Sequence, residues 1–337
     1  MNRPTLEAVA ALAGVGRGTV SRVINGSPNV SEKARRAVLD AIDQLGYVPN
    51  RAARTLVTRR TDTVALVVSE SELRVFDEPY FAGTIRGIAT YLAETGLQLI
   101  LAMSQSRSEH KRLEEYLTGQ HVDGVLLLSL HGADPLPGRL EDRGVPTVLG
   151  GRPVGLDPAQ FQRLSYIDID NRTGARQAAK HLLGLGRERI ATIAGPQDMG
   201  VGVDRLAGYR DALSAAGRRE LVAYGDFSEA SGATAMAALL EADPDLDAVF
   251  AASDLMAVGA MRALKTAGRR VPGDVAVVGF EDAKVALHTD PPLTTVHQPT
   301  EAMGRQMAQL LVARINGEQP QHQVVILDTH LVPRGSA

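Results

Sequence analysis

From Thr63 onward, apolar runs rich in β-branched residues alternate with amphipathic stretches long enough to be helices, and few folds accept that order. Strands are expected over 63–69, 97–103, 124–130, 147–149, 166–169, 189–194, 248–252 and 275–280, with helices between them, such as 80–95, 172–185, 205–216, 255–267 and 301–315. Strands without a polar face need cover on both sides, so the expected class is α/β, with parallel sheets wound by helices. The run is too long for one compact sheet. The Pro/Gly-rich stretch 150–158 suggests a crossing between two doubly wound subdomains with a cleft between them, about 61–162 plus 292–320 and about 163–291 plus 321–337. In such sheets ligands bind beyond the carboxyl ends of the strands.

The first 48 residues follow a different pattern. Leu6, Val9, Ala10 and Ala13 share one helical face, which Thr5 can cap, and Gly14-Val15-Gly16 breaks it. A second helix starts near Arg17 with Val20, Val23 and Ile24 inward, and Asn25-Gly26-Ser27-Pro28 ends it. Ser31 and Glu32 open a third, whose inward stripe is Ala34, Val38, Ala41, Ile42 and Leu45. Helix, Gly-containing turn, helix is the helix-turn-helix arrangement, whose second helix enters the DNA major groove. Arg17, Gly18, Ser21 and Arg22 face outward on that helix. An arginine fork matches the two acceptors of a guanine edge, so Arg17 and Arg22 are the candidate base readers. Thr5, Thr19, Ser21 and Asn25 are short donors suited to phosphate oxygens. The competing reading is a basic three-helix module that docks protein.

Charge favours nucleic acid. Residues 1–60 carry ten Lys/Arg against four acids, a net of +6, while the remainder carries 26 against 35, a net of −9. A basic head on an acidic body is the footprint of a nucleic-acid binder. Cysteine is absent, which excludes disulfides and thiolate metal sites. No apolar run reaches membrane-spanning length and no signal region opens the chain, so a cytoplasmic protein, nucleoid-associated when bound to DNA, is expected. The eight histidines lack metal-ligand spacing, and no G-x-x-x-x-G-K-[ST], G-x-S-x-G or H-E-x-x-H motif occurs. Neither an enzyme nor a metal nor a cofactor is expected.

Thr19-Val20-Ser21-Arg22-Val23 and Leu45-Gly46-Tyr47-Val48-Pro49-Asn50 resemble the signature of the LacI/GalR family of bacterial repressors, and the likeness runs on through Arg54-Thr55-Leu56. The resemblance implies a helix-turn-helix domain over 1–48, a hinge helix and linker over 49–60, and an effector-binding and dimerising core over 61–337 like the periplasmic sugar-binding proteins. In the family two hinge helices of a dimer enter the minor groove together. Asn50 to Leu56 suits this: Ala52 and Ala53 allow close approach, Arg51 and Arg54 supply charge, and Leu56 can wedge between base pairs. So short a helix is expected to fold only on DNA. An ordinary charged linker is the competing reading. Gly16 departs from the family's usual Ser, and Gly18 leaves a base-facing position bare.

In the core the resemblance rests on Ala194-Gly195-Pro196, Ala252-Ser253-Asp254, Val278-Gly279-Phe280-Glu281-Asp282 and the stretch 292–299. It implies that Arg205 and Glu281 form a charged pair gripping ligand hydroxyls, that Ser253, Asp254 and Gln298 add polar contacts, that Phe227 stacks on a sugar ring, and that Ser69 lies at the first strand's end. Glu281 stands where the family usually has Asp. N-caps compete for Ser253 and Asp254, a solvated first-turn charge for Arg205, and plain core for Phe227. The wording of 64–69, 119–131 and 193–199 is similar to actinomycete repressors responsive to cello-oligosaccharides or related β-linked disaccharides. The closing 331–336 stretch is identical to a common engineered protease site and is also similar to the Leu-Val-x-Arg ending of the family's last strand, which favours a native origin. The expected protein is a homodimeric, sequence-specific repressor of sugar-utilisation genes, released from a near-palindromic operator by a small carbohydrate. Two alternatives are a non-sugar or co-repressor ligand on the same fold, and a non-specific architectural DNA binder.

Overall fold

The computed structural model describes residues 4–24, 27–48, 60–104, 107–318 and 322–337. It divides into two compact units, Met1–Thr61 and Asp62–Ala337. In the first, three helices form among the described residues: α1 (Leu6–Ala13), α2 (Arg17–Ile24) and α3 (Glu32–Leu45). Thr5 Oγ1 accepts the Ala8 N–H at 3.3 Å and Ser31 Oγ accepts that of Ala34 at 3.3 Å, satisfying donors the first turns would otherwise orphan. Gly14 and Gly46 end α1 and α3 in the left-handed conformation. Val9, Val20, Val23, Val38, Ala41 and Tyr47 close a small core.

The second unit contains twelve strands among the described residues: β1 (Thr63–Val68), β2 (Gln98–Met103), β3 (Gly124–Leu128), β4 (Thr147–Gly150), β5 (Ser165–Ile169), β6 (Ile190–Ala194), β7 (Val222–Tyr224), β8 (Ala248–Ala251), β9 (Ala276–Val278), β10 (Thr295–His297), β11 (Val324–Leu327) and β12 (His330–Val332). They form a six-stranded sheet of order β11-β5-β4-β3-β1-β2, a four-stranded sheet of order β7-β6-β8-β9 and an antiparallel pair β10-β12. Both larger sheets are parallel throughout. β1, β3, β5, β6, β8 and β9 are buried along their whole length, as two-sided helical cover requires.

The division between the lobes differs from the sequence expectation. β5 and β11 both belong to the six-stranded sheet, although residues beyond 162 and beyond 320 were assigned to the other lobe. The loop 150–158 does not carry the chain across. It returns the chain to pair β5 with β4, and the crossing follows Ile169, where the helix Asn171–Gly184 packs on Gly200–Ala215. A fully buried strand such as β5 finds its neighbours through register, which a loop's Pro/Gly content does not encode.

The helices Pro79–Ala93 and Thr300–Ile315 cross closely over the six-stranded sheet. A Cβ on Gly87 would lie 2.0 Å from the Glu301 carbonyl oxygen, and one on Gly304 would lie 2.1 Å from that of Thr84. Backbone, which cannot yield, thus excludes any side chain at either position. The closing 331–336 stretch is part of the same unit: Ser336 is buried, its hydroxyl donates to the Val277 carbonyl at 2.6 Å and accepts the Thr294 N–H at 2.7 Å. No described helix is long and apolar enough to cross a membrane.

Gly304→Ala is expected to cost about 1–3 kcal/mol or more through forced helix separation. Gly138→Ala, in the helix Leu136–Asp142 with open space at its Cβ, should instead gain up to about 1 kcal/mol. Urea unfolding of the full chain followed by circular dichroism gives both values.

Candidate functional site

On the head, Arg17, Gly18 and Arg22 are exposed on α2, with Thr19 and Ser21 half-buried beside them. Both arginines rest on the protein's own groups. Arg17 Nη1 lies 3.1 Å from Glu7 Oε1, and Arg22 Nε donates to the Gly18 carbonyl at 3.1 Å. Exposed contacts of this kind hold a side chain weakly, so both guanidiniums remain available to a ligand. The Thr5 hydroxyl oxygen caps α1, and its proton is shared with the exposed Glu7 carboxylate. Nothing packs where a Cβ of Gly16 would stand, and a Cβ on Gly18 would meet only Arg22 Nη2 at 3.9 Å. Neither glycine is required by packing; both leave the face of α2 bare. Asn25, Asn50, Arg51, Ala53, Arg54 and Leu56 lie outside the described residues.

In the second unit a cleft of about 680 Å³, space open to solvent included, lies at the carboxyl ends of the strands of both sheets. Arg74, Glu78 and Tyr80 reach it from the segment after β1, Ser129 from after β3, Arg152 from after β4, and Asp168 and Asn171 from the end of β5 and just beyond. Arg205, Phe227, Glu281 and Gln298 reach it from the other side. This is where doubly wound sheets place their ligands.

Arg205 is the most buried charge in the site. The expected first-turn position is corrected: the helix begins at Gly200, five residues earlier than expected, and Arg205 is 2% exposed. Its Nε donates to Asn171 Oδ1 at 2.9 Å, Nη1 to the Ala252 carbonyl at 2.6 Å and Nη2 to Gln298 Oε1 at 3.1 Å, and its guanidinium stacks 3.7 Å from the centre of the Phe280 ring. Three of its five N–H groups are used within the protein. Burial pulls its pKa down to about 10, against the pull of nearby Glu281 and Asp168.

Phe227 lies against Gly195, where a Cβ would stand 2.4 Å from the ring, so that strand end must be glycine for the aromatic to enter the cavity. The Arg74 guanidinium sits 5.5 Å from the ring's centre. Phe227 (φ 73°), Glu281 (φ 120°), Asp282 (φ 58°) and Ser129 (φ 58°) all hold left-handed backbone at the strand ends. Side chains pay strain for that conformation, and it is retained where the surroundings impose it, as at binding sites. The acids are desolvated. Burial pushes Glu281 up to about 8, Glu78 to about 7 and Asp168 to about 6, although Asp168 accepts the Arg152 N–H at 2.9 Å.

Of the residues expected around the ligand, Arg205, Phe227, Glu281 and Gln298 line the cavity, and Ser69, Ser253 and Asp254 do not. Ser253 is the N-cap of Asp254–Thr266, accepting the Met256 N–H at 3.2 Å while donating to the Phe227 carbonyl at 3.3 Å. Asp254 is wholly buried: it accepts from the Thr295 hydroxyl at 2.5 Å and from the Ala283 N–H at 2.8 Å, and burial raises it to about 7. Both brace the loops that carry Phe227 and Glu281. Ser69 lines a neighbouring groove. Asp168, Asn171 and Arg152 were missed although they lie at or just after strand ends, a position rule that would have found them. Arg74 lies on the short helix Glu72–Asp77, which has too few residues to show a period. Among the described residues no group of His, Asp and Glu is arranged to hold a metal ion.

A model of "Bacterial regulatory proteins, lacI family" matches residues 5–50, and one of a "Periplasmic binding protein-like domain" matches residues 179–337. The transcriptional regulator CelR of Thermobifida fusca is 61% identical over 337 residues, covering 99% of this chain and 98% of its own. The ribose operon repressor of Escherichia coli is 36% identical, covering 99% of each. Among solved structures, a CelR–cellobiose complex superposes with a TM-score of 0.80 at 58% identity, covering 99% of this chain and 100% of its own. The lac repressor dimer bound to operator and an anti-inducer gives 0.85 at 28% identity, covering 99% of both.

The cavity acids make stability pH-dependent. A carboxyl whose pKa is raised on folding binds its proton more tightly when folded, so its contribution is full below the unfolded value and is lost as pH climbs through the folded one. The thermal midpoint of the ligand-free chain should therefore fall from about pH 4.5 to about pH 8 and level off above it, and Glu281→Gln should flatten the part between pH 7 and 8. Scanning calorimetry across that range checks both.

Proposed function

The chain belongs to the LacI family of bacterial regulatory proteins and is a sugar-responsive, DNA-binding transcriptional repressor, and from that premise we propose that its effector is cellobiose or a short cello-oligosaccharide that releases it from a near-palindromic operator. The observation that carries this reading is the meeting of an aromatic ring and convergent polar groups in one cavity. Phe227 supplies the face on which a pyranose stacks, and Arg205, Glu281 and Gln298 supply the directional hydrogen bonds that hydroxyls require. The cellobiose complex of the 58% identical regulator supports the choice of sugar. Glu281, one methylene longer than the family's usual residue, narrows that end of the cavity. Such a site binds its ligand and performs no catalysis.

On DNA, Arg17 and Arg22 read base edges in the major groove, while Thr5, Thr19, Ser21 and Asn25 contact phosphates beside the bare Gly18. Asn50, Arg51, Ala53, Arg54 and Leu56 enter the minor groove from the segment 49–60, which joins a helix-turn-helix domain over 1–48 to the core. Two copies act together, each head on one half-site. The edge strand β2 supports pairing, since it leaves Ile100 and Leu101 over a third exposed on an unpaired sheet edge. The protein works in the cytoplasm, on the nucleoid when bound to operator. Coupling between sugar and operator is about 1–3 kcal/mol and reciprocal.

Fluorescence anisotropy on a duplex selected from a random pool tests the reading. Cellobiose should weaken operator affinity about 5–150-fold, and Phe227→Ala should abolish the response without altering DNA affinity in its absence. A tighter complex with cellobiose would make the sugar a co-repressor. Arg22→Ala should cost about 1–3 kcal/mol and erase preference at one base pair; a uniform loss on all sequences would remove it from the readers.

A further inference from the structure

At the mouth of the cleft, away from the cavity floor, a histidine joins the two lobes. The chain leaving β1 carries Glu70 and the chain leaving β3 carries His131, both on the six-stranded lobe. Asp198 lies in the loop after β6, on the other lobe. His131 Nε2 is 2.9 Å from Glu70 Oε1, and Nδ1 is 2.8 Å from Asp198 Oδ2. Beside them the Gly132 N–H donates to the Asp198 carbonyl at 2.7 Å.

An ionised carboxylate accepts hydrogen bonds and donates none, so a ring with a carboxylate at each nitrogen must donate from both. Only the imidazolium does that. Glu70 is held ionised, since it also accepts from the Ser129 hydroxyl at 2.6 Å and pairs with Arg74 at 2.9 Å. Its pKa lies below the usual range: burial pushes upward, and the bonds from His131 and Ser129 with the Arg74 charge outweigh it. The Glu70 bond is the largest influence raising the His131 pKa; burial opposes it, and Asp198 adds to it.

We propose that His131 is a positioning residue for effector capture: as an imidazolium bridging Glu70 and Asp198, it fastens the lobes at the cleft mouth, so that closure over a bound sugar takes up a proton. This rests on the reading of the cavity as a sugar site. Other charges lie nearby. Arg74 faces Glu70 and Glu78, Arg139 pairs with Glu114, and His110, bonded to Ser104, lies 3.9 Å from Asp134 across the groove that Lys111 also lines. Opening the cleft removes Asp198 from the ring and leaves Glu70, because Glu70 shares a lobe with His131. The pKa is therefore higher in the closed form, and the closed form gains from the proton at low pH. That gain is lost as pH rises through the closed-state value, with a limiting slope of about tenfold in affinity per pH unit.

Asp198 is 55% exposed, so Asp198→Asn removes the charge without disturbing packing. Calorimetric titration of the full chain with cellobiose between pH 6.5 and 9 should show affinity weakening several-fold with rising pH. Asp198→Asn and His131→Gln should bind several-fold more weakly at pH 6.5 and give flatter profiles. Parallel profiles in the native chain and Asp198→Asn would overturn the proposal, because the cavity acids titrate in both. Should cellobiose bind none of them, the sugar reading fails and the bridge is judged without ligand. The full chain labelled with ¹³Cε1-histidine, with the His131 resonance assigned by its loss in His131→Gln, then reports the ring's titration by NMR. A His131 midpoint above the ordinary value of about 6.5, lowered in Asp198→Asn, sustains the bridge, and an ordinary midpoint in both overturns it.

Discussion

The core is organised around one buried guanidinium. Removing an arginine's charge from water costs several kcal/mol unless hydrogen bonds and countercharge replace the lost hydration. Arg205 meets that demand from segments far apart in sequence: Asn171 at the start of one helix, the Ala252 carbonyl after β8, Gln298 after β10, and the Phe280 face after β9. Each contact fixes the end of a different element. The strand ends that must converge to satisfy Arg205 are the ones that form the cavity wall, so the stability of the fold and the shape of the site share a cause.

Around it the protein separates residues that touch the cavity from residues that hold them. Phe227 and Glu281 adopt backbone conformations that side chains resist, and Ser253 and Asp254 bond to the loops that impose them. The family resemblance had placed Ser253 and Asp254 among the ligand contacts; the structure makes them the brace. Burial has an electrostatic consequence too. Asp254 and Glu281 both lie well above the ordinary carboxylate range because water is excluded, and Arg205 offers Glu281 a countercharge that only partly offsets it.

The head inverts these economies. Its core is small, its helices are capped by Thr5 and Ser31, and its functional arginines rest on Glu7 and on a backbone carbonyl through exposed contacts that cost little to break. A surface that meets the polyanion of DNA keeps its cations unburied, whereas the core cavity desolvates Arg205, which makes its hydrogen bonds strong. The same residue type thus serves two chemistries, and burial distinguishes them.

The sequence by itself determined the local elements, because those depend on period, caps and breakers within a dozen residues. The three head helices, the outward Arg17 and Arg22, and the buried β1, β3, β6 and β8 were all legible this way. The short helix Glu72–Asp77 and the strands β7, β10, β11 and β12 were not, since elements of three to six residues carry too little period. Tertiary structure alone decided that β5 and β11 join the first sheet, that Asn171 and Gln298 meet Arg205, and that His131 spans the lobes between Glu70 and Asp198. Pairings between residues from 34 to 93 positions apart depend on strand register and on which buried charge finds which partner, and nothing local in the chain specifies either.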